Sequence, residues 1–523
     1  MTETLILVDA HDQEIGQGEK LQIHREGRLH RAFSLFIFDM NGRLLLQRRA
    51  QGKYHSSLLW TNTCCGHPRA GEKTDLAATR RLDEEMGFSC DVREVATFTY
   101  QASVSNNLIE HEFDHIYVGG YSGEVRADAE EASDWQWIEL DRLFAWMERE
   151  PEQFTPWLNQ IVNDPQTPFG HEWLRAQAAQ FTLEHLLRFQ TQLLMRVSKT
   201  YALAIPQLPS SLASVVTHAY LLLRITDTIE DEPALTPSQI RNYEAAFVAA
   251  VKGLGDARRL RDEVAALLTE QTVAAEHELL RQLPLMLEVH RQWAPSQREH
   301  LLRCLEIISR GMADFGDLVS VNGLKSRQDL DRYCYCVSGS VGEMMTELFI
   351  DFDPTLEPRR DELLGLSVSF GAALQLANII KDQWEDRERG MCWLPSDLFA
   401  EHGVQLSTVQ AGQPDPDFAG ALRELIGTTH AHLQLALRYV LCIPPRHTGI
   451  RRFVSCTLGL AVLVLVKVHA NPFFQSGEQV TPSAADIKRL MRLIQRPHLS
   501  DKYLNALFQR ASRGLPLTAL RTK

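Results

Sequence analysis

Positive charge is what this chain is short of. Lys and Arg number 54 against 67 Asp and Glu, a formal net charge of −13 over 523 residues. That balance argues against broad nucleic-acid binding. It leaves anionic substrates open, because bound metals and local Lys/Arg clusters set the local sign. Cysteine is sparse, with nine residues, an odd number, and no CxxC pair matched by a second. A disulfide framework is thereby disfavoured, and reduced thiols in a cytoplasmic location are expected. The first residues, Met1 to Asp9, have no basic segment and an apolar stretch too short for a signal peptide. No GxGxxG nucleotide fingerprint occurs. The longest apolar run, Phe453 to Val468, is interrupted by Ser, Thr, Gly and Lys467. It falls short of the ~20 residues a membrane span needs, so a buried helix is expected there and no transmembrane segment.

What is present, 44% hydrophobic and 23% charged residues, fits globular protein, and the length implies more than one domain. Residues 1–165 read as mixed α/β. Strands are expected at Leu5–Asp9, Phe33–Phe38, Leu44–Gln47, Val95–Tyr100, Glu112–Gly119 and Asp134–Ile138, with an Asn41-Gly42 hairpin turn. Thr74–Met86 reads as an amphipathic helix stopped by Gly87, and short helices are expected at Leu140–Arg149 and Gln153–Val162. A Pro/Gly-rich break, Asn163 to Gly170, opens an expected linker over 166–182. Residues 183–523 read as one all-α bundle, since helical periodicity persists and alternating β-branched runs are missing.

Two acidic patches stand out in the second part, Asp227-Thr-Ile-Glu-Asp231 and Asn378-Ile-Ile-Lys-Asp382-Gln-Trp-Glu-Asp386. In each, two aspartates four residues apart project from one helix face. Side by side they repel and need a cation, and Mg²⁺ shared with phosphate suits such oxygens. A solvated face is the usual reading of a charge run. Here each patch adjoins an apolar stretch, Ala219–Leu223 or Phe370–Ile380, which favours a buried metal site.

The first part carries Gly66, Glu72, Arg80, Arg81, Glu84, Glu85 and Gly87 at the spacing of the Nudix box, except that Arg81 stands where that box has Glu. His24, His30, His67, Glu110 and Glu112 form a plausible metal set. The two glutamates share a strand face, and imidazoles suit Zn²⁺ or Mn²⁺. Together with Glu19-Lys20, Arg48-Arg49, Lys53, Trp60-Thr-Asn-Thr-Cys-Cys-Gly-His-Pro68, Tyr100 and Phe154-Thr-Pro-Trp157, residues 5–160 resemble type I isopentenyl-diphosphate isomerases. The resemblance implies that Cys65 and Glu112 flank a C5 skeleton while Tyr100 helps place a proton. Trp157 and Trp60 would offer aromatic faces to a carbocation. It also implies Lys20, Arg49, Lys53 and Arg81 as diphosphate contacts, and Glu85 as ligand of a Mg²⁺ on that diphosphate. Cys64 reads as structural. A different Nudix hydrolase is the competing reading.

Ser198-Lys199, Arg224 with the first patch, Tyr333-Cys-Tyr335, Gln375-x-x-Asn378 and the second patch are similar to the squalene/phytoene synthase family over roughly 190–490. That implies head-to-head joining of two prenyl diphosphates with Mg²⁺. Asp227, Glu230 and Asp231 would form one metal wall, and Asn378, Asp382 and Asp386 the other. Ser198, Lys199, Arg224 and Lys381 would meet diphosphate, with Tyr335 and Gln375 as further site candidates. Animal squalene synthases carry Tyr where Cys336 stands, whereas Tyr335 matches bacterial phytoene-type members. Met391 replaces a basic residue that helps squalene synthases bind NADPH, which leaves NADPH use open. Competing readings are shorter allylic substrates, or one part acting as a non-catalytic diphosphate-binding scaffold. A separate chain-elongating prenyltransferase must act between a C5 isomerase and a C15 or C20 condensation. A long hydrocarbon product implies peripheral contact with a membrane at release.

Overall fold

The computed structural model describes residues 4–520 apart from 122, 199, 317, 318 and 414. The chain divides into two compact units, 1–189 and 190–523.

Unit 1 runs β1 (Thr4–Val8), β2 (Glu14–Glu19), α1 (Lys20–Glu26), β3 (His30–Phe38), β4 (Leu44–Arg49), β5 (Trp60–Thr61), β6 (Cys64–Gly66), α2 (Thr74–Met86), β7 (Val92–Val104), β8 (Leu108–Gly120), β9 (Ala132–Ile138), α3 (Leu140–Arg149), α4 (Pro156–Asn163) and α5 (His171–Val197), the last continuing into unit 2. β3 is the hub of the sheet. It pairs antiparallel with β1, β4 and β6 and parallel with β8, while β7 flanks β8 and β9 flanks β4. Such a strand is buried on both faces and reads as a near-continuous apolar run, as Ala32–Phe38 does apart from Ser34. One face packs on α2 through Ala77, Ala78, Leu82 and Met86. The other packs on α3, α4 and the start of α5. The helix expected at Thr74–Met86 has those bounds and ends on Gly87 at φ +72°, a conformation glycine adopts without strain. Gly42, at φ +72°, turns β3 into β4. Short β2 and α1 were not foreseen, and α1 supplies Lys20 and His24.

The expected linker at 166–182 is helical from His171. Leu174 and Ala178, four apart, bury one stripe of α5 in the core of unit 1 together with Trp173 and Phe181. The Pro/Gly break is real in composition, but the apolar stripe beyond it docks the chain rather than freeing it.

Unit 2 is helical throughout: α6 (Tyr201–Ala204), α7 (Ser210–Glu230), α8 (Pro237–Val251), α9 (Ala257–Ala265), α10 (Ala274–Arg281), α11 (Leu283–Gln292), α12 (Pro295–Gly316), α13 (Arg327–Cys334), α14 (Ser340–Phe352), α15 (Arg360–Glu388), α16 (Ser396–Glu401), α17 (Pro416–Cys442), α18 (Thr448–Ala470), α19 (Gly477–Val480), α20 (Ala484–Ile494) and α21 (Asp501–Ala511). A π-helical turn, Tyr335–Gly339, joins α13 to α14. α15 is central, lying against α14, α17 and α18. It comes so close to the π-helical turn that a Cβ on Gly371 would meet the Ser338 carbonyl oxygen at 2.2 Å. The apolar run expected to be too short for a membrane is part of α18, whose 23 residues do reach that length. Its apolar window and that of Pro354–Glu388 are each 61% buried inside the protein.

Candidate active sites

In unit 1 the strand register builds the site. Tyr100 of β7, Glu112 of β8 and His30 of β3 are paired across three adjacent strands, so they form one row. Glu110, two residues from Glu112, shares its face, and α1 brings His24 to it. β6, paired with β3, sets Cys65 beside Ser34 and leads into His67. His24 and His30 are fully buried, and one donor atom from each of His24, His30, His67, Glu110 and Glu112 lies within 4.8 Å of the others.

Hydrogen bonding shows that these residues fit a metal ion. His24 Nδ1 lies 2.7 Å from the Lys20 carbonyl oxygen, and His30 Nδ1 lies 2.9 Å from that of Arg28. A carbonyl only accepts, so each Nδ1 carries the proton and each Nε2 of a neutral ring presents a bare lone pair. Yet His24 Nε2 faces Glu110 Oε2 at 3.0 Å, and His30 Nε2, 3.6 Å from Glu112 Oε1, has no hydrogen-bond partner. Two acceptors face each other comfortably only with a proton or a metal cation between them. Burial alone would lower His24, but Glu110 raises it, as an acceptor awaiting positive charge does. Burial pushes His67 down to about 4, so its imidazole is neutral and suited to ligation. Burial would raise Glu110, but His24 and His55 hold it well below the usual carboxylate range.

His55 is a residue that sequence reasoning missed. It is buried, its Nε2 sits 2.6 Å from Glu110 Oε1, and its ring stands edge-on to Trp157 with centroids 6.0 Å apart. It holds the carboxylate oxygen that faces away from His24.

His55, His67, Glu110 and Glu112 line a cavity of about 430 Å³ together with Cys65, Tyr100, Trp157, Glu85 and the bases Lys20, Arg49, Lys53, Arg69, Arg80 and Arg81, while His24 and His30 lie buried behind the wall. Arg49 lies over the Trp157 ring at 5.3 Å. Arg81 pairs with Glu85, and Lys53 with Glu131. Glu85 also accepts from Gln47 Nε2 at 2.7 Å. Arg69 was not foreseen, and Arg80, expected only as part of the Nudix box, is tied bidentately to Glu72 at 2.8 Å. The structure does not bring Trp60 to the cavity lining. Its ring packs on Trp146 at 5.6 Å, because the short β5 turns it to the α3 side. Cys65 Sγ donates to Asn62 Oδ1 at 3.1 Å. Burial, reinforced by Asp114, pushes this thiol up to about 12, so it keeps its proton at neutral pH. Tyr100 donates to Glu112 Oε2 at 2.6 Å. Cys64 is fully buried under α2, as a structural residue would be.

In unit 2 the two acidic patches are spanned by one cation. Arg389 reaches Asp231 Oδ1 at 3.3 Å and Asp386 Oδ1 at 2.6 Å. On α7, Arg224 donates through Nη1 to Asp227 Oδ2 at 3.4 Å and through Nε to Glu276 of α10 at 2.7 Å. Burial pushes Asp227 up to about 6 and Glu230 well above its usual range, and neighbouring carboxylates add to both. Glu244 of α8 faces the same patch and is pushed up to about 8. Such crowding fits divalent cations. Among the described residues only the unit 1 set gathers its donor atoms closely without an ion present. On α15, Lys381 pairs with Asp382, Asn378 is exposed, and Gln375 sits a turn earlier. Ser198 accepts from the Tyr201 N–H at 3.0 Å and bonds Tyr220. Lys199 lies outside the described residues.

Tyr335 does not face the acids. Its hydroxyl donates to Glu343 at 3.3 Å, whereas Tyr333 stacks on Trp393 at 4.0 Å and feels Glu230, Asp386 and Asp227. Residues two apart on a helix point to nearly opposite sides, so only one of this pair can serve the site.

A mixed sheet with a Nudix-box helix, followed by an all-α unit with opposed aspartate helices, defines a two-part enzyme of phosphorylated substrates. The squalene/phytoene synthase family model matches residues 194–486 and the NUDIX domain model residues 28–158. The isopentenyl-diphosphate Delta-isomerase of Serratia proteamaculans is 54% identical over 179 residues, 34% of this chain and 100% of that protein. That of Burkholderia multivorans is 52% identical over 173 residues, 33% of this chain and 98% of its own length. A ligand complex of TcSQS is similar at 18% identity and a TM-score of 0.48, covering 63% of this chain and 98% of that one. The chain belongs to the squalene/phytoene synthase family through its second unit and to the isopentenyl-diphosphate Delta-isomerase family through its first.

Proposed function

We propose that unit 1 interconverts isopentenyl and dimethylallyl diphosphate and that unit 2 joins two prenyl diphosphates head to head. For unit 1 the carrying observation is the pairing of a protonated thiol, Cys65, with a carboxylate, Glu112, in one cavity rimmed by bases. Moving the double bond adds a proton to one carbon and removes one from another. In the direction that starts from the thiol form, the Sγ–H proton goes to the terminal alkene carbon and Glu112 takes a proton from the carbon beyond the cationic centre. The return direction starts from the state those transfers leave. Tyr100 steers the Glu112 oxygen, Trp157 offers its ring face to the tertiary cation, and Lys20, Arg49, Lys53 and Arg81 hold the diphosphate. A Zn²⁺, Mn²⁺ or Mg²⁺ ion on the three histidines and two glutamates supplies the charge that keeps Glu112 in place, with Glu85 suited to a Mg²⁺ shared with the diphosphate.

For unit 2 the carrying observation is the Arg389 bridge, which sets the two aspartate patches opposite each other. Asp227, Asp231, Asp382 and Asp386 would hold Mg²⁺, which would supply electron withdrawal from the departing diphosphate. Arg224, Lys381 and Ser198 would hold that diphosphate, and the apolar helices around them would keep water from the allylic cation. The second alkene attacks this cation, and loss of a proton closes a cyclopropyl diphosphate. A second loss of diphosphate opens the ring to a cation that ends either by losing a proton or by accepting hydride where NADPH is present. The substrates are C15 or C20 units, so a separate prenyltransferase must lengthen the C5 product of unit 1.

Isopentenyl diphosphate in D₂O tests the first half. Deuterium entering the carbon skeleton is expected, and phosphate release without double-bond movement overturns it. Labelled C15 and C20 diphosphates with Mg²⁺, with and without NADPH, test the second. A hydrocarbon product from wild type and none from the Asp227→Ala/Asp382→Ala form is expected; diphosphate retained by both overturns it.

A further inference from the structure

A second cavity, of about 290 Å³, lies inside the helical unit, and no residue of either acidic patch lines it. It is enclosed by α17, α18, α20 and α21, and its wall is apolar: Val440, Leu458, Val462, Leu490, Ile494 and Phe508. Two adjoining faces of α18 are apolar, which explains the cavity. One side, Val454, Ala461, Leu465 and Val468, is buried in the core, while Ser455, Leu458, Val462 and Val466 face the cavity. α20 comes closest to α18 where a Cβ on Gly459 would meet Leu490 Cδ1 at 2.5 Å. The one hydroxyl of the buried wall, Ser455 Oγ, has no hydrogen-bond partner.

The mouth has the opposite sign to the chain. Over 484–520 there are seven Lys and Arg, all exposed, against Asp486 and Asp501, in a protein of net charge −13. Arg489 and Arg510 belong to the lining and are its exposed cations, and neither forms an ion pair among the described residues. Asp486, the acid of the lining, is already engaged by Lys467 at 3.2 Å and by capping α20 through Ser483.

We propose that this cavity binds a single-chain anionic amphiphile, with its hydrocarbon chain between α18 and α21 and its phosphate or carboxylate head at Arg489 and Arg510. An empty apolar cavity of ~150 Å³ takes up benzene, so this one holds a chain on the order of a dozen carbons. A two-chain lipid would leave its second chain outside, which favours a free amphiphile over a bilayer surface. The proposal does not depend on either reaction assigned above.

Monomeric dodecyl phosphate and the full chain, in buffer without divalent ions to silence the aspartate patches, test it by calorimetry. One site per chain is expected. Arg489→Glu/Arg510→Glu, both on the surface, should weaken binding at least tenfold, and dodecanol should bind at least tenfold more weakly than the phosphate. Val462→Trp should fill the cavity and abolish binding in protein whose circular dichroism matches wild type. Binding that survives both the arginine reversal and the filling variant overturns the proposal. So does binding seen only with phosphatidylglycerol vesicles and not with the free amphiphile.

Discussion

The two units solve the same problem, gathering negative charge, in opposite ways. Unit 1 interleaves three imidazoles with two carboxylates and locks the histidines by backbone carbonyls, so its donors lie within 4.8 Å of one another before any ion arrives. Unit 2 relies on carboxylates alone, which repel. An arginine spans its walls, and burial raises Asp227, Glu230 and Glu244 towards neutrality. A neutral imidazole can be packed densely at little cost, whereas a carboxylate cluster draws close only when a cation and its diphosphate supply compensating charge.

The strongest way to break this comparison is to show that the sites are not independent. Cys65→Ala should lower isomerisation by about 10³-fold and leave diphosphate release from C15 substrate within twofold of wild type. Asp382→Asn should do the reverse. Loss of both activities in either folded variant refutes two separate sites. Metal content draws the contrast next. After chelator-free gel filtration about one ion per chain should remain, absent in His30→Ala and retained in Asp227→Asn. Equal retention in both variants would remove the distinction between a finished and an unfinished site.

His55 sharpens the comparison on the unit 1 side. If its 2.6 Å contact holds Glu110 in register, His55→Ala should weaken metal affinity about 10- to 100-fold, as outer partners of ligands do. His55→Gln should recover part of that. Chelator competition measures it without recourse to turnover.

Much of unit 1 was legible because periodicity carries it. Glu110 and Glu112 alternate with partly exposed residues on β8, and the acid- and glycine-marked α2 ends where Gly87 says it should. His55 was not legible, since residues 50–58 form a loop with no period to say which side chain turns inward. Trp60 failed for a related reason: a two-residue strand does not fix which face its ring takes. In unit 2 the patches themselves were legible from i, i+4 spacing. Tyr333 against Tyr335 was not, because the π-helical turn after Cys334 breaks the regular count. Glu244 and Glu276 come from segments that meet the patches only in three dimensions, and Arg389, next to the second patch in sequence, reaches the first only through the fold.

That tyrosine pair gives a smaller test. Tyr333→Phe should slow product formation by unit 2 severalfold, while Tyr335→Phe, whose hydroxyl meets Glu343, should leave it unchanged. The opposite ranking would mean that the π-helical turn is misread as a rotation away from the site.

Glu244 provides the last and smallest effect. Burial lifts its carboxyl from the ordinary 4.5 to about 8, and the Ser309 bond only partly opposes this. Between those values the folded chain holds a proton that the unfolded chain has released. Its contribution to stability is therefore complete at low pH and is lost as pH rises towards 8. Glu244→Gln mimics the neutral form at every pH. Its melting temperature should match wild type at pH 4, below the ordinary carboxylate value, and exceed it by about 3 °C or more at pH 8, without divalent ions. A gap of the same size at both pH values would mean that Glu244 is ionised in the fold. The crowding of charge that distinguishes unit 2 would then stop short of α8.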